Sequence, residues 1–262
     1  MKHGLGLLEL LRDRLDKQGL YDSPDYWDKK ATRYQGLARS NWPSNAYNEH
    51  VHRQQMAAID DALGSVRGLK IADVGCGTGR ASIHLAKRGA TVTGFDFSPK
   101  SLEAARRDAA AAGVSTTFAE YDVLGPPDEE LDGAFDVVLS IGCLTLACNN
   151  EGSLARALGN LAAMLRPGGR VLFLEPIHTS ALLSRILRVS VADWIRMCEA
   201  RGLQLVSRRG ILFVPSRYAL AFRDLPALLN DPIFGVGERI LDLSIQLEWL
   251  GDYKVLLFQA PA

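Results

Sequence analysis

Residues 71–80 read IADVGCGTGR, and this stretch decides the fold. A short strand-like run passes into glycines at every second position, Gly75, Gly77 and Gly79, and then into a helical pattern. Glycine permits positive φ in a tight turn and lacks the Cβ that would block a ligand, while the following helix presents unpaired N–H groups. The stretch therefore predicts a ligand-binding loop that includes Cys76, with a tight turn that binds no ligand as the alternative.

The residues beside the loop narrow the kind of ligand. A dinucleotide fingerprint would need glycine or alanine where Arg80 stands, and the Gly-Lys-Ser/Thr of a phosphate-binding loop is absent. Asp73 instead places a carboxylate on the strand that leads into the loop, where it would repel a pyrophosphate and attract an ammonium group.

Two further acids follow the next two predicted strands. Asp96 ends the run TGFD, where it can accept hydrogen bonds from both hydroxyls of a ribose. Asp122 follows the third strand, where it can accept from an adenine amine while the N–H of Val123 donates to the ring. Together these positions describe an adenosine that carries an amino acid rather than a phosphate.

Outward from the loop, strand and helix patterns alternate, which is typical of a parallel sheet. The predicted strands are residues 70–74, 91–95, 116–121, 135–140, 170–174, a strand within 203–214, and 253–259. The predicted helices are residues 5–17, one that starts at Ser23-Pro24, 80–88, 98–112, 152–165, 191–202 and 236–249. This rhythm predicts a doubly wound, Rossmann-like α/β core over 61–262 with a helical excursion at 215–250, and an N-terminal helical cap or lid over 1–60.

Composition bounds the function classes. The 262 residues carry 30 basic and 30 acidic side chains, so no excess field favours nucleic acid or anionic lipid. Four cysteines show no zinc-ligand spacing and are too few for a disulfide scaffold. No apolar run is long enough for a signal sequence or a membrane span. We expect a cytoplasmic protein that needs no metal, as a monomer or homodimer.

These motifs resemble those of the class I S-adenosylmethionine-dependent methyltransferases, in particular the small-molecule enzymes of quinone synthesis and natural-product tailoring. The resemblance covers residues 25–260 and rests on five motifs in order: residues 73–79, Asp96, Asp122, residues 135–140 and the turn at 165–170. It implies a seven-stranded sheet of order 3-2-1-4-5-7-6 with strand 7 antiparallel. It also implies that Tyr34 closes over S-adenosylmethionine, that Phe97 packs on the adenine, and that Ser140 and Ile141 border the methionine moiety.

The chain departs from many such relatives after the fourth strand, where the stretch IGCLTLAC at residues 141–148 supplies no histidine pair. His178, just past the fifth strand, is the preferred general base, although a lone loop histidine is more often solvated. The predicted activity is methyl transfer to an O, N or C atom of a small-molecule acceptor. Alternatives are a non-methylating cyclase that retains the cofactor, a binding module without turnover, and a macromolecular methyltransferase.

Overall fold

The structure is a computed structural model that describes residues 21, 23–33, 36, 44–184, 186–221, 226–243 and 245–262. The strands within these residues are β1 Lys70–Val74, β2 Thr91–Asp96, β3 Thr117–Glu120, β4 Phe135–Ile141, β5 Leu165–Glu175, β6 Gln204–Phe213 and β7 Gly251–Gln259. The α-helices within them are α1 Pro24–Arg33, α2 Asn45–Leu63, α3 Arg80–Lys87, α4 Pro99–Ala111, α5 Leu144–Ala147, α6 Glu151–Ala163, α7 Val191–Glu199, α8 Val214–Leu220 and α9 Ala227–Asp242. Short 3₁₀ turns cover Glu129–Leu131 and Ile245–Leu250.

The seven strands form one sheet of order β3-β2-β1-β4-β5-β7-β6. Strands β1 to β5 pair in parallel, whereas β7 runs antiparallel to both β5 and β6. The predicted fold, strand order and antiparallel last strand are therefore confirmed. The order reverses between β1 and β4, and ligands of open α/β sheets bind at the carboxyl ends of strands at such a point.

Alternate residues of each central strand enter two separate cores, as the period of a strand requires. On one face, Val138 and Phe173 pack with Leu158 of α6 and Trp194 of α7. On the other face, Val137, Leu139 and Leu172 pack with α2 and α3. The sheet is thus covered by helices on both sides, which explains its nearly continuous apolar strands.

Helix α2 is part of the second core. Tyr47, Val51, Ile59 and Leu63 are buried there together with Ile71 of β1. Ser44 is the N-cap of this helix, and its hydroxyl oxygen accepts from the Tyr47 N–H at 3.1 Å. The division of the chain at residue 60 stays a prediction, and it falls within this helix.

Two predicted elements differ from the structure, and one lies outside it. The helix expected over 236–249 is wrong in its bounds, because α9 runs over Ala227–Asp242 and includes Pro232. The turn expected near 166–169 is instead an irregularity between β4 and β5, where the register passes from Phe135↔Leu165 to Val137↔Arg170. The helix expected over 5–17 lies outside the described residues. Within the described part of the chain, no helix has the length and apolar character to cross a membrane.

Candidate functional site

A cavity opens at the carboxyl ends of β1, β2, β3 and β4. The sequence-predicted residues that line it are Asp73, Gly75, Cys76, Gly77, Asp96, Phe97, Asp122, Val123 and Ile141. The topology therefore brings together residues that lie as much as 68 positions apart in the chain, 141 − 73. Ser140 and His178, also predicted, do not line the cavity, and Tyr34 lies outside the described residues.

The glycines of the loop after β1 serve different purposes. A Cβ on Gly75 would lie 2.3 Å from the Cys143 sulfur, so packing against the loop after β4 requires glycine there. Gly77 has φ +54°, and a Cβ on it would meet no atom within 4 Å. Gly77 is therefore the position at which bare backbone faces open space, as the sequence predicts for a ligand loop.

Asp73 is a buried carboxylate at the base of the loop. It accepts from the Ser82 hydroxyl at 2.6 Å, and burial raises its pKa to about 6. Within the described residues no cationic side chain lies within 4 Å of it, and Arg80 acts on it only from farther away, lowering its pKa. A cationic group bound in the cavity would supply a closer partner.

Asp96 ties the glycine loop to β2. One of its oxygens accepts from the Gly77 N–H at 2.8 Å, and the other accepts from the Ser98 N–H at 2.9 Å. Burial raises the pKa of Asp96 despite these bonds. Each carboxylate oxygen has a further lone pair, so the side chain can still accept from a ligand hydroxyl.

Asp122 stands at the more open end of the cavity. Its side chain is exposed and accepts from the Leu124 N–H at 2.9 Å, while the adjacent Val123 is buried. Phe97 and Tyr121 line the same region with partly buried rings. This end therefore combines flat apolar surfaces with hydrogen-bonding groups, which suits a heteroaromatic base.

Helix α1 covers this end of the cavity. Asp28 accepts from the Ser98 hydroxyl at 2.6 Å and from the Lys100 N–H at 3.1 Å, at the start of α4. Trp27, which also lines the cavity, packs against Tyr21 with ring centroids 5.7 Å apart. The predicted N-terminal cap or lid over 1–60 thus contributes Trp27 to the lining of the cavity.

The loop after β4 is organised by a buried glutamate. Glu175 accepts from the Ser140 hydroxyl at 3.0 Å and from the N–H groups of Cys143 and Leu144 at 2.9 and 3.1 Å. It also accepts from the Thr145 hydroxyl at 2.9 Å. Ser140 is therefore a support of the cavity wall, which Cys143 and Thr145 line.

His178 lies one layer behind the cavity. It is buried, and its Nε2 lies 3.0 Å from the Asp252 carbonyl oxygen and 3.3 Å from Asp252 Oδ1. Asp252 itself lines the cavity and also accepts from Arg217 at 2.5 Å. Any effect of His178 on an acceptor would pass through Asp252, and its role as base stays a prediction.

Sequence reasoning missed the polar residues on the remaining wall. Gln55, Arg80, Arg217, Asp252 and Tyr253 line it. They come from α2, α3, α8 and β7, which no local motif connects. Arg80 is the exception that spacing could have identified, because it follows directly on the glycine loop.

The cavity fits an adenosine that carries an amino acid. Asp73 offers a buried carboxylate to an ammonium group, Gly77 offers bare backbone, and Asp96 and Asp122 offer acceptors to hydroxyl and amine groups. Among the described residues, no group of three His, Cys, Asp or Glu side chains has a geometry that could hold a metal ion.

Comparison with known proteins gives one family model and many relatives. A model described as a methyltransferase domain matches residues 71–169. A ubiquinone biosynthesis O-methyltransferase from Chromobacterium violaceum is 33% identical over 180 residues, which are 67% of this chain and 74% of that protein. A demethylmenaquinone methyltransferase from Thermus thermophilus is 39% identical over 125 residues, 47% of this chain and 54% of that protein. The chain therefore spans about half the length of the demethylmenaquinone enzymes it matches.

A solved structure shares the fold at low sequence identity. The magnesium protoporphyrin IX methyltransferase of Synechocystis, solved with bound SAH, superposes with a TM-score of 0.60 at 18% identity. The match covers 95% of this chain and all of that one. The likeness thus extends beyond the sheet to the elements that surround it.

Proposed function

Because this chain belongs to the class I S-adenosylmethionine-dependent methyltransferases, we propose that it transfers a methyl group to an O, N or C atom of a small organic acceptor. The observation that carries the proposal is the buried Asp73 carboxylate, which has no cationic side chain of the described residues within 4 Å, beside two further acids at consecutive strand ends. This order of acids matches a ligand with an ammonium group at one end and a purine at the other.

We assign the cofactor contacts to the residues that line the cavity. Asp73 takes the ammonium group, Asp96 takes the ribose hydroxyls, and Asp122 with the Val123 N–H takes the adenine edge. Phe97 packs on the purine, and Ile141 borders the methionine chain. Tyr34 closing over the cofactor stays part of the proposal, since it lies outside the described residues.

The bound cofactor supplies a methyl group on a sulfonium that is already activated for displacement. The work of the protein is then alignment of the acceptor with that methyl group and exclusion of water. The walls suit this work, because Cys143 and Thr145 are fixed by Glu175 and α1 is fixed on α4 by Asp28.

A proton that leaves the acceptor would reach Asp252 first, since Asp252 lines the cavity and His178 lies behind it. We propose that His178 assists removal of this proton through Asp252. A phenolate or free amine acceptor would need no such help. The test is the pH profile of kcat in His178→Gln, which should lose a limb present in the parent; an unchanged profile would remove His178 from the reaction.

We infer the chemical class of the acceptor from the names of the relatives. The Chromobacterium and Thermus proteins are named for ubiquinone and demethylmenaquinone methylation, so we propose a quinone-like or secondary-metabolite acceptor. We further propose a cytoplasmic monomer or homodimer that binds no nucleic acid. The equal count of basic and acidic residues and the four free cysteines support this proposal.

Calorimetric titration with S-adenosylmethionine tests the cofactor assignment. We expect binding in the micromolar range, weakened by about 10- to 100-fold in Asp96→Ala because charge-assisted hydrogen bonds to the ligand are lost. Asp132→Ala, an exposed acid away from the cavity, is the matched control and should bind like the parent. No binding, or equal binding in Asp96→Ala, contradicts the assignment.

Transfer of labelled methyl to candidate acceptors separates methylation from the cyclase alternative. We incubate the protein with methyl-labelled cofactor and a panel of hydroxylated quinones and phenols. Label in the product supports methyl transfer. A changed acceptor that carries no label, formed only when the cofactor is present, would favour a cyclase.

A further inference from the structure

Arg80 occupies an unusual place in the cavity. It is the first residue of α3, directly after the glycine loop, and its partly buried side chain lines the wall beside Asp73. Its guanidinium group is held from one side only, by two residues of α2. Nη1 lies 3.1 Å from His52 Nδ1, and Nη2 donates to Gln55 Oε1 at 3.3 Å.

Both partners of Arg80 are neutral at physiological pH. Gln55 carries no charge, and burial together with the charge of Arg80 lowers the pKa of His52 to about 4. The imidazole is therefore unprotonated at pH 7, and its Nδ1 can accept from the guanidinium. The two residues orient Arg80 but add no negative charge, so the compensation within the described chain comes from Asp73, which lies more than 4 Å away and acts against burial to raise the pKa of Arg80.

Several other arginines of the described chain are paired with a carboxylate. Arg217, on the same cavity, pairs with Asp252 at 2.5 Å, and Arg88 pairs with Asp60 at 2.6 Å. No carboxylate oxygen of the described residues lies within 4 Å of Arg80. Withdrawing an unpaired charge from water is costly, and burial accordingly lowers the pKa of Arg80.

The start of α3 adds positive potential at the same point. The N-cap is Gly79, which offers no side-chain acceptor, and the first turn contains no acidic residue. A helix N-terminus favours anions and disfavours cations, so Arg80 raises the electrostatic cost of an empty site. Asp73, the acid on the neighbouring strand, is engaged by Ser82. An anion from outside the chain would satisfy both Arg80 and this helix end.

We propose that Arg80, oriented by His52 and Gln55, binds a carboxylate or similar planar oxyanion of a ligand in the cavity. The inference rests on the proposed function, because it concerns the ligands of that site. The guanidinium offers two parallel N–H donors that match a carboxylate. The anion can come from the methionine carboxylate of the cofactor or from an acidic group of the acceptor.

The first arm of the test asks whether the carboxylate that Arg80 binds belongs to the cofactor. S-adenosylhomocysteine and its decarboxylated analogue are titrated calorimetrically into the parent, Arg80→Gln and Arg53→Gln. Arg53 is exposed on α2 next to His52 and serves as the matched control. If Arg80 binds the cofactor carboxylate, Arg80→Gln weakens S-adenosylhomocysteine about 10- to 100-fold and the decarboxylated analogue less than about threefold.

The second arm asks whether the anion that Arg80 binds is an acidic group of the acceptor. Benzoate and the uncharged benzamide are titrated into protein saturated with S-adenosylhomocysteine. If Arg80 reads an acidic acceptor, benzoate binds more tightly than benzamide, and Arg80→Gln removes the difference while S-adenosylhomocysteine affinity is unchanged. Arg80→Lys keeps the charge without the bidentate fork and should fall between parent and Arg80→Gln in whichever arm responds.

Three results decide the matter. A response in either arm, with the thermal unfolding midpoint of Arg80→Gln at or above that of the parent, supports the inference and identifies the source. Parent protein that binds S-adenosylhomocysteine while Arg80→Gln changes neither arm overturns the inference alone. Parent protein that fails to bind S-adenosylhomocysteine overturns the proposed function and this inference with it.

Discussion

The affinity for the amino-acid end of the cofactor should rise with pH because of Asp73. Burial raises the pKa of this carboxyl to about 6, so much of it is protonated in slightly acidic solution. A ligand ammonium group pairs with the ionised form and not with the protonated form. Binding therefore strengthens as pH rises through about 6 and reaches a plateau above it.

The size of the effect follows from the ionised fraction. With a pKa of about 6, the fraction of ionised Asp73 is about one tenth at pH 5 and about nine tenths at pH 7. If only the ionised form binds the ammonium group, affinity increases about tenfold over this interval, or ~1.4 kcal/mol. The hydrogen bond from Ser82 stabilises ionised Asp73 and so lowers its pKa. Ser82→Ala should therefore raise this pKa and move the midpoint of the binding curve to higher pH.

The assay is calorimetric titration of S-adenosylhomocysteine between pH 5 and pH 8. The control ligand is 5′-methylthioadenosine, which has the same nucleoside but no ammonium group. Any titration of Asp96 at the ribose affects both ligands alike, so the ratio of their affinities isolates Asp73. A ratio that stays constant with pH, or the same slope in Asp73→Asn, would refute the reasoning.

Three further predictions concern the walls of the cavity. Gly75→Ala should lower the free energy of unfolding by about 1–3 kcal/mol in urea, and Cys143→Gly should restore part of it, because the new Cβ lies 2.3 Å from the Cys143 sulfur. Arg217→Met should cost about 3–5 kcal/mol by leaving Asp252 buried without its partner, and adding Asp252→Asn should recover stability; equal losses would contradict a buried ion pair. Glu175→Gln should lower the thermal midpoint through a loss of about 1–3 kcal/mol, since an amide NH₂ cannot accept from the loop N–H groups.

Much of the fold was predictable because its signals are local. The strand before the glycine loop and the strand at residues 135–141 read as apolar runs, since both faces of the sheet are covered. The excursion before β7 was harder to predict, because Pro232 suggested a break where α9 continues through it. Its helical turns are held by tertiary contact, with Phe234 of α9 stacked on His50 at 3.8 Å between centroids.

The residues of the candidate site, too, were predictable only where their signals in the sequence are local. The residues assigned to the cofactor follow consecutive strands, so the parallel order alone places their side chains at one edge. The remaining wall unites Gln55, Arg217 and Asp252, which come from three separate elements and meet only after the chain has folded. No spacing in the sequence connects them. His178 is predicted as the base because it follows the fifth strand, and its side chain does not line the cavity.

The polar wall that contains Arg80, Arg217 and Asp252 affects which acceptors suit the cavity. Arg217 and Asp252 form an ion pair, whereas Arg80 has no carboxylate of the described residues within 4 Å and adds positive potential to the cavity wall. In a cavity screened from water, an unpaired cation attracts an anionic or electron-rich group more strongly than the same cation would in solvent. Bringing such a group beside a sulfonium and then transferring the methyl group cancels opposite charges, a change that a water-poor cavity favours. A neutral amine gains less from these surroundings, because its methylation only moves the positive charge from the sulfonium to the nitrogen and cancels none.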